Sequence, residues 1–252
     1  METIQTRPRL ALLDSLRGFA LLHMIAYHTL YDLVYIFGHP MGWYQSQAGY
    51  IWQQSICWSF ILLSGFCFSL GRQPVRRGAV VLAAGCLVEL VTWIAMPQER
   101  VRFGILSFIG CAMLLTRLCR PVLEKLRPAA GLAASFAVFW LTKTVPQGGL
   151  SLGDRLMTPL PEWLYSTPWL YPLGFPRADF WSSDYFPLLP WLFLYWTGWF
   201  AFRMWPNVRE SRLLQHRIPG LCWLGKHSLW VYLAHQPVAY GVLAALHMAG
   251  LV

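Results

Sequence analysis

Residues 9–33 read RLALLDSLRGFALLHMIAYHTLYDL, and the meaning of this stretch decides the fold. Its apolar length matches the roughly 20 residues that a helix needs to cross hydrocarbon. Yet it carries Asp14, Arg17, His23, His28 and Asp32. Ionisable groups inside a membrane are expensive unless paired or hydrated, so such a helix turns one face to the protein interior. At ~100° per residue Asp32 projects onto Asp14, with His28 within about 40° and Arg17 within about 60°, while His23 lies opposite. Asp14 and Arg17 stand at i, i+3, the spacing of a helical ion pair. His28 and Asp32 stand at i, i+4, about 21 Å farther along at ~1.5 Å per residue.

The rest of the chain fits the same solvent. Of 252 residues, 56% are hydrophobic, 16% aromatic and only 12% charged, far from the mix of a water-soluble domain. Seven apolar segments qualify or nearly qualify as spans: 10–37, 50–70, 79–96, 103–118, 129–141, 185–202 and 221–246. The expected fold is an all-α polytopic bundle in a single domain of 1–252, with about seven transmembrane helices. The first of them is retained, because its apolar run is too long for a signal peptide and ends without a small-x-small cleavage site.

The net charge of +9 is distributed unevenly. Alternating the loops puts Arg7, Arg9, Arg17, Arg72, Arg76, Arg77, Arg117, Arg120, Lys125, Arg127, Arg203, Arg209, Arg212, Arg217 and Lys226 on one side, which is 15 of the 20 basic residues. The positive-inside rule then places the N-terminus in the cytoplasm and the C-terminus outside, in a multi-pass cell (inner) membrane protein. Basic residues confined to short loops argue against nucleic-acid binding. The six cysteines form no ligand cluster, so no metal is expected. The connection at about 143–184, rich in Pro, Trp and Tyr, falls outside, as a lid or substrate platform. No internal repeat supports a transporter.

Three further features carry chemistry. In KHSLWVYLAHQPV, residues 226–238, Ser228, Tyr232 and His235 share one helical face within about 60° of one another, and Pro237 interrupts the backbone just beyond. Glu89 lies mid-span in the third segment and needs a partner. DYFPLLPW, residues 184–191, sets Asp184, Tyr185 and Trp191 where a polyol could be hydrogen-bonded and a sugar ring stacked. Histidine beside a carboxylate suits general base catalysis, because its proton affinity lies near neutrality and the acid can hold the ring tautomer. His28 with Asp32 is therefore read as a catalytic pair, against the alternative of an interhelical hydrogen bond.

The 9–33 stretch resembles the first helix of the bacterial relatives of heparan-alpha-glucosaminide N-acetyltransferase. FGILSFIG at 103–110, DYFPLLPW at 184–191 and SLWVYLAHQPV at 228–238 resemble that group's later motifs in the same order. The first and last motifs are also similar to those of membrane O-acyltransferases that decorate polysaccharides, with which the chain shares an 11-residue interval from Arg17 to His28. The resemblance implies an acetyl group taken from acetyl-CoA inside and delivered to a sugar amine or hydroxyl of a glycan outside. By matching position it implies His28 as the catalytic residue. Asp14 and Arg17, at the basic inner end, are read as the donor-binding pair. Asp184, Tyr185, Trp191, Tyr232 and His235 are read as facing the acceptor. His39, Glu89 and Ser228 are secondary candidates. Ser107 stands where that group's pattern carries a histidine. The lipid bilayer and a glycan acceptor are the implied partners. Homodimer formation is left open, as are direct transfer against an acyl-histidine intermediate and the alternatives of a transporter, channel or membrane scaffold.

Overall fold

The computed structural model describes residues 10–152 and 155–251; Arg7, Arg9 and Asp154 lie outside them. The described chain is helical almost throughout: α1 Ala11–Tyr31, α2 Gln47–Cys67, α3 Pro74–Ala95, α4 Ile105–Leu123, α5 Pro128–Thr142, α6 Glu162–Ser166, α7 Leu188–Arg203, α8 Arg212–Gln215, α9 Pro219–Lys226 and α10 Ser228–Met248. The exception is a short antiparallel hairpin, β1 Gly149–Leu152 with β2 Arg155–Pro159. Proline opens α3, α5 and α9, where its missing N–H is one of the unbonded helix-start donors in any case. Past Tyr31, α1 continues as a π-helical turn, Asp32–Ile36.

Six helical stretches among the described residues are long and apolar enough to cross a membrane: Ala11–Ile36, Gln47–Leu70, Pro74–Ala95, Ile105–Leu123, Pro128–Gln147 and Ser228–Met248. The protein is an all-α polytopic membrane bundle, and large apolar side chains such as Phe19, Leu87, Ile94, Leu118 and Trp230 project outward from these helices. Lipid is the solvent that tolerates them. The sixth expected span appears as α7, whose 16 residues rise only about 24 Å. The expected last span, 221–246, is two helices. At His227 the backbone turns to φ −102°, ψ 18°, ending α9 before α10 begins.

The chain forms two compact units, one of Met1–Phe60 with Asn207–Val252 and one of Ile61–Pro206. In the first unit α9 lies against the lower half of α1 with almost no side chain between them. A side-chain carbon on Gly18 would collide with the Leu221 carbonyl, and one on Gly225 with the Asp14 carbonyl. Glycine at both positions is what lets the backbones touch. The Ser15 hydroxyl adds a bond by accepting from the Ile218 N–H at 3.3 Å. Above this junction Leu21, Met24 and Ile56 form a buried cluster to which Leu224, Val231 and Tyr232 add. Along the seam of α1 and α10, residue numbers rise together: His28 meets His235, Asp32 meets Gln236 and Phe37 meets Tyr240. The two helices run parallel.

The α7 helix is not among the six long stretches. In the second unit the α3 and α4 helices pair antiparallel through small residues, Gly78 facing Met113 and Leu114, Gly110 facing Leu82, and Gly85 facing Ser107. The α5 and α7 helices also pair antiparallel, Gly131 on Phe200 and Phe139 on Trp191. The α4 and α7 helices run parallel: Trp196 Nε1 donates to Thr116 Oγ1 at 3.0 Å, and Arg203 donates to the Leu123 carbonyl at 3.1 Å. The α3, α4, α5 and α7 helices therefore alternate in direction along the chain.

Replacing Gly225 by leucine should separate α9 from α1. The expected loss is about 1–3 kcal/mol, the usual cost of overpacking. Thermal unfolding of the purified protein in detergent checks it, with Gly220→Leu, at a position open on all sides, as the unaffected control.

Candidate functional site

The polar face of α1 finds its partners on α10. The imidazole of His28 lies 2.7 Å, Nδ1 to Nε2, from that of His235, with the rings 5.0 Å apart and 23° from coplanar. The Nδ1 of His235 is bonded to the carbonyl of Tyr232 one turn earlier. One turn farther along α1, Asp32 is fully buried, and its Oδ1 accepts from Gln236 Nε2 at 2.7 Å. Two side chains one helical turn apart on α1 therefore meet two consecutive side chains on α10. This corrects the expected pairing: the ring of His28 is met by His235 and not by Asp32. At i, i+4 a carboxylate can reach a histidine, but Asp32 opens the π-helical turn and its carboxylate is engaged across the helix interface. The second ring nitrogen of His28, Nε2, makes no hydrogen bond among the described residues.

The other candidates of this unit fall around that centre. Tyr232 packs its ring on His235, centroids 5.3 Å apart, and on the Leu21, Met24 and Ile56 cluster. It serves His235 through its carbonyl. Ser228 sits at the first residue of α10. His23 turns the other way, as the helical projection requires, and accepts from Trp52 Nε1 at 3.0 Å. His39 is exposed in the loop beyond the π-helical turn, its N–H on the Leu33 carbonyl. At the opposite end of α1 Arg17 Nη1 donates to Asp14 Oδ1 at 3.1 Å. Its other guanidinium nitrogens make no hydrogen bond among the described residues. Gln236 escaped the sequence reading, although a glutamine wedged between His235 and Pro237 in an apolar run was a signal that a polar partner faces it.

In the second unit, the polar atoms assigned to an acceptor carry structure. Asp184 Oδ2 accepts from the Ile105 N–H at 3.0 Å, capping a helix whose own start, Gly104, has no side chain to do so. Burial pushes the Asp184 carboxyl up to about 6, against the opposing effect of the Ile105 N–H. Around it residues 99–105 and 182–186 are stitched together: the Arg102 N–H donates to Ser182 Oγ at 2.8 Å and the Phe186 N–H to the Phe103 carbonyl at 3.0 Å. The Tyr185 hydroxyl donates to the Tyr171 carbonyl, and burial raises its proton affinity. Trp191 is buried against Phe139 and Phe186, so its face is covered by the core rather than open to a sugar. Glu89 finds Arg100 at 4.0 Å. Ser107 is buried where the Gly85 backbone of α3 presses on it.

A family model described as heparan-alpha-glucosaminide N-acetyltransferase, catalytic, matches residues 9–237. The match takes in both His28 and His235. Comparison with curated proteins finds no match, and comparison with solved structures finds none.

The cap on α4 predicts a pH signature. With its carboxyl raised to about 6, Asp184 favours the folded state most when protonated, below about pH 4. That contribution is lost as pH rises through about 6, where a buried charge must be carried. Asp184→Asn keeps an acceptor for Ile105 without titrating, so its stability relative to wild type should rise between pH 4 and pH 7. Asp184→Ala should lose about 1–2 kcal/mol against asparagine at every pH, the value of a helix cap. Thermal unfolding across that range reads both, and equal stability of the alanine and asparagine variants would remove the capping role.

Proposed function

Because the chain belongs to the heparan-alpha-glucosaminide N-acetyltransferase catalytic family, a family of membrane acetyltransferases, we propose that it moves an acetyl group from cytoplasmic acetyl-CoA to an amine or hydroxyl of an extracytoplasmic glycan. The observation that carries the reading is the state of His28. One ring nitrogen is held at 2.7 Å by His235 while the other makes no hydrogen bond among the described residues. An imidazole oriented on one side and open on the other is the arrangement a general base requires.

The chemistry balances with these groups alone. His28 takes the proton from the acceptor N–H or O–H as its nitrogen or oxygen attacks the thioester carbonyl. The tetrahedral adduct then expels the thiolate, which takes that proton back from the imidazolium and leaves as the thiol of CoA. The donor enters from the basic side, in the cell membrane with the N-terminus in the cytoplasm. Asp14 holds one nitrogen of Arg17 and directs the rest of the guanidinium toward the donor phosphates, a role suited to its fork of donors. Arg17 lies about 16 Å below His28 at ~1.5 Å per residue, so the donor lies lengthwise along α1. Asp32, through Gln236, keeps α10 in register with this face.

Proteoliposomes loaded with radiolabelled acetyl-CoA and supplied with amino sugars and neutral sugars outside test this reading. Labelled acetyl sugar should appear outside, and His28→Gln should lower its rate about 10²–10⁴-fold, the usual contribution of a general base. Arg17→Ala should raise the KM for acetyl-CoA about tenfold or more, the value of one charge-assisted hydrogen bond. Sugar counterflow that needs no acetyl-CoA, with no acetylated product, would replace the reading with transport.

A further inference from the structure

The hydrogen bonds at the seam determine where the protons sit. A backbone carbonyl only accepts, so the His235 nitrogen bonded to the Tyr232 carbonyl, Nδ1, carries a hydrogen. In a neutral imidazole the other nitrogen, Nε2, is then bare. A cationic His235 would stand in a membrane helix with only a carbonyl and a second imidazole as its bonded partners, an arrangement hydrocarbon disfavours. Nε2 of His235 therefore accepts, and the proton in the 2.7 Å contact belongs to His28 Nδ1. A neutral His28 that bears hydrogen on Nδ1 has its lone pair on Nε2.

We propose that His235 is a positioning residue that holds His28 in the Nδ1-protonated tautomer and so presents Nε2 as the basic atom to the acceptor. The proposal deepens the reading of His28 as general base and rests on it for its catalytic consequence. The chain of dipoles runs from the Tyr232 carbonyl through the His235 ring to the His28 ring and ends on the open nitrogen. It occupies the place that a carboxylate holds behind many catalytic histidines, but uses a neutral ring and a backbone carbonyl, which avoids a net charge in the span. A second constraint keeps the ring in place. Gln236, the next residue, is bonded to the fully buried Asp32 at 2.7 Å, so α10 can neither slide nor rotate against α1 without breaking both contacts. The carboxylate oxygen of Asp32 accepts, so the Gln236 NH₂ is turned to it and the amide oxygen away.

Nitrogen NMR of ¹⁵N-histidine protein in lipid, with the His28 signals assigned from a His28→Gln sample, reads the tautomer without reference to activity. Wild type should show hydrogen on Nδ1 and a bare Nε2. His235→Phe fills the same space with no acceptor and should release His28 to a mixture of tautomers. It should lower kcat about 10²–10⁴-fold, because the ring loses its fixed orientation and the acceptor that supports its imidazolium as well as the single tautomer, with the acceptor KM changed less than about twofold by the split between binding and chemistry. His235→Gln restores an acceptor oxygen near the position of Nε2 and should recover at least about a tenth of the wild-type kcat, within the factor that one neutral hydrogen bond is worth. A wild-type His28 with hydrogen on Nε2 overturns the proposal, even if the phenylalanine variant does not fold. So does an unchanged spectrum and kcat in His235→Phe, or equal losses in the phenylalanine and glutamine variants. Wild-type protein with the Nδ1 tautomer and no acetyl transfer would instead refute the functional reading and leave the positioning intact.

Discussion

Inside a bilayer a polar side chain has no water to bond with, and α1 carries His28 and Asp32 through that medium. Both can be there only if another helix brings partners to the same depth. The α10 helix does so with two consecutive residues, His235 and Gln236. The rest of the first unit is arranged to make that meeting possible. Glycines 18 and 225 let α9 approach α1 to backbone contact, and the turn at His227 starts α10 upward alongside α1. The apolar cluster of Leu21, Met24 and Ile56 with Val231 and Tyr232 then closes the seam below the polar pairs.

The same constraint shapes the second unit by different means. There the close approaches are made by small residues, Gly78, Gly85 and Gly110 between α3 and α4, because dispersion and not hydrophobic exclusion holds helices together in lipid. Polar side chains from other segments then finish helix ends. Asp184 caps α4 from another segment, and Arg203 gathers the open carbonyls at the end of the same helix, from Leu123, Glu124 and Leu126. A residue such as Asp184 looks functional in sequence because an acid beside aromatic residues suits a sugar site. In the fold it answers a local need for a hydrogen-bond acceptor.

Much of this architecture was legible in the order of residues. Apolar run length gave the spans, helical periodicity put Asp14, Arg17, His28 and Asp32 on one face and His23 on the other, and the motifs at 9–33, 103–110, 184–191 and 228–238 pointed to the family whose model covers 9–237. Of the seven crossings expected, six appear as helices long and apolar enough to span a membrane, and the segment at 185–202 appears as the shorter α7. The break at 227 is marked in the sequence by Gly225, Lys226, His227 and Ser228, but a reading by apolar run length passes over so short an interruption. The burial of Trp191 was not legible, since interfacial and core tryptophans look alike in sequence.

The sequence by itself determined which residues face inward and how deep each lies, because rise and rotation along a helix depend only on position in the chain. Only the tertiary structure decided who meets whom. His28 and Asp32 are four residues apart and look like a pair; His28 and His235 are 207 apart and do not. A hydrogen bond is won by whichever group comes within about 3 Å in the right direction. That depends on how closely two helices pack and in what register, which glycines, apolar contacts and the π-helical turn set together. The tautomer of His28, and with it the atom available for chemistry, follows from that packing and not from the order of residues in α1.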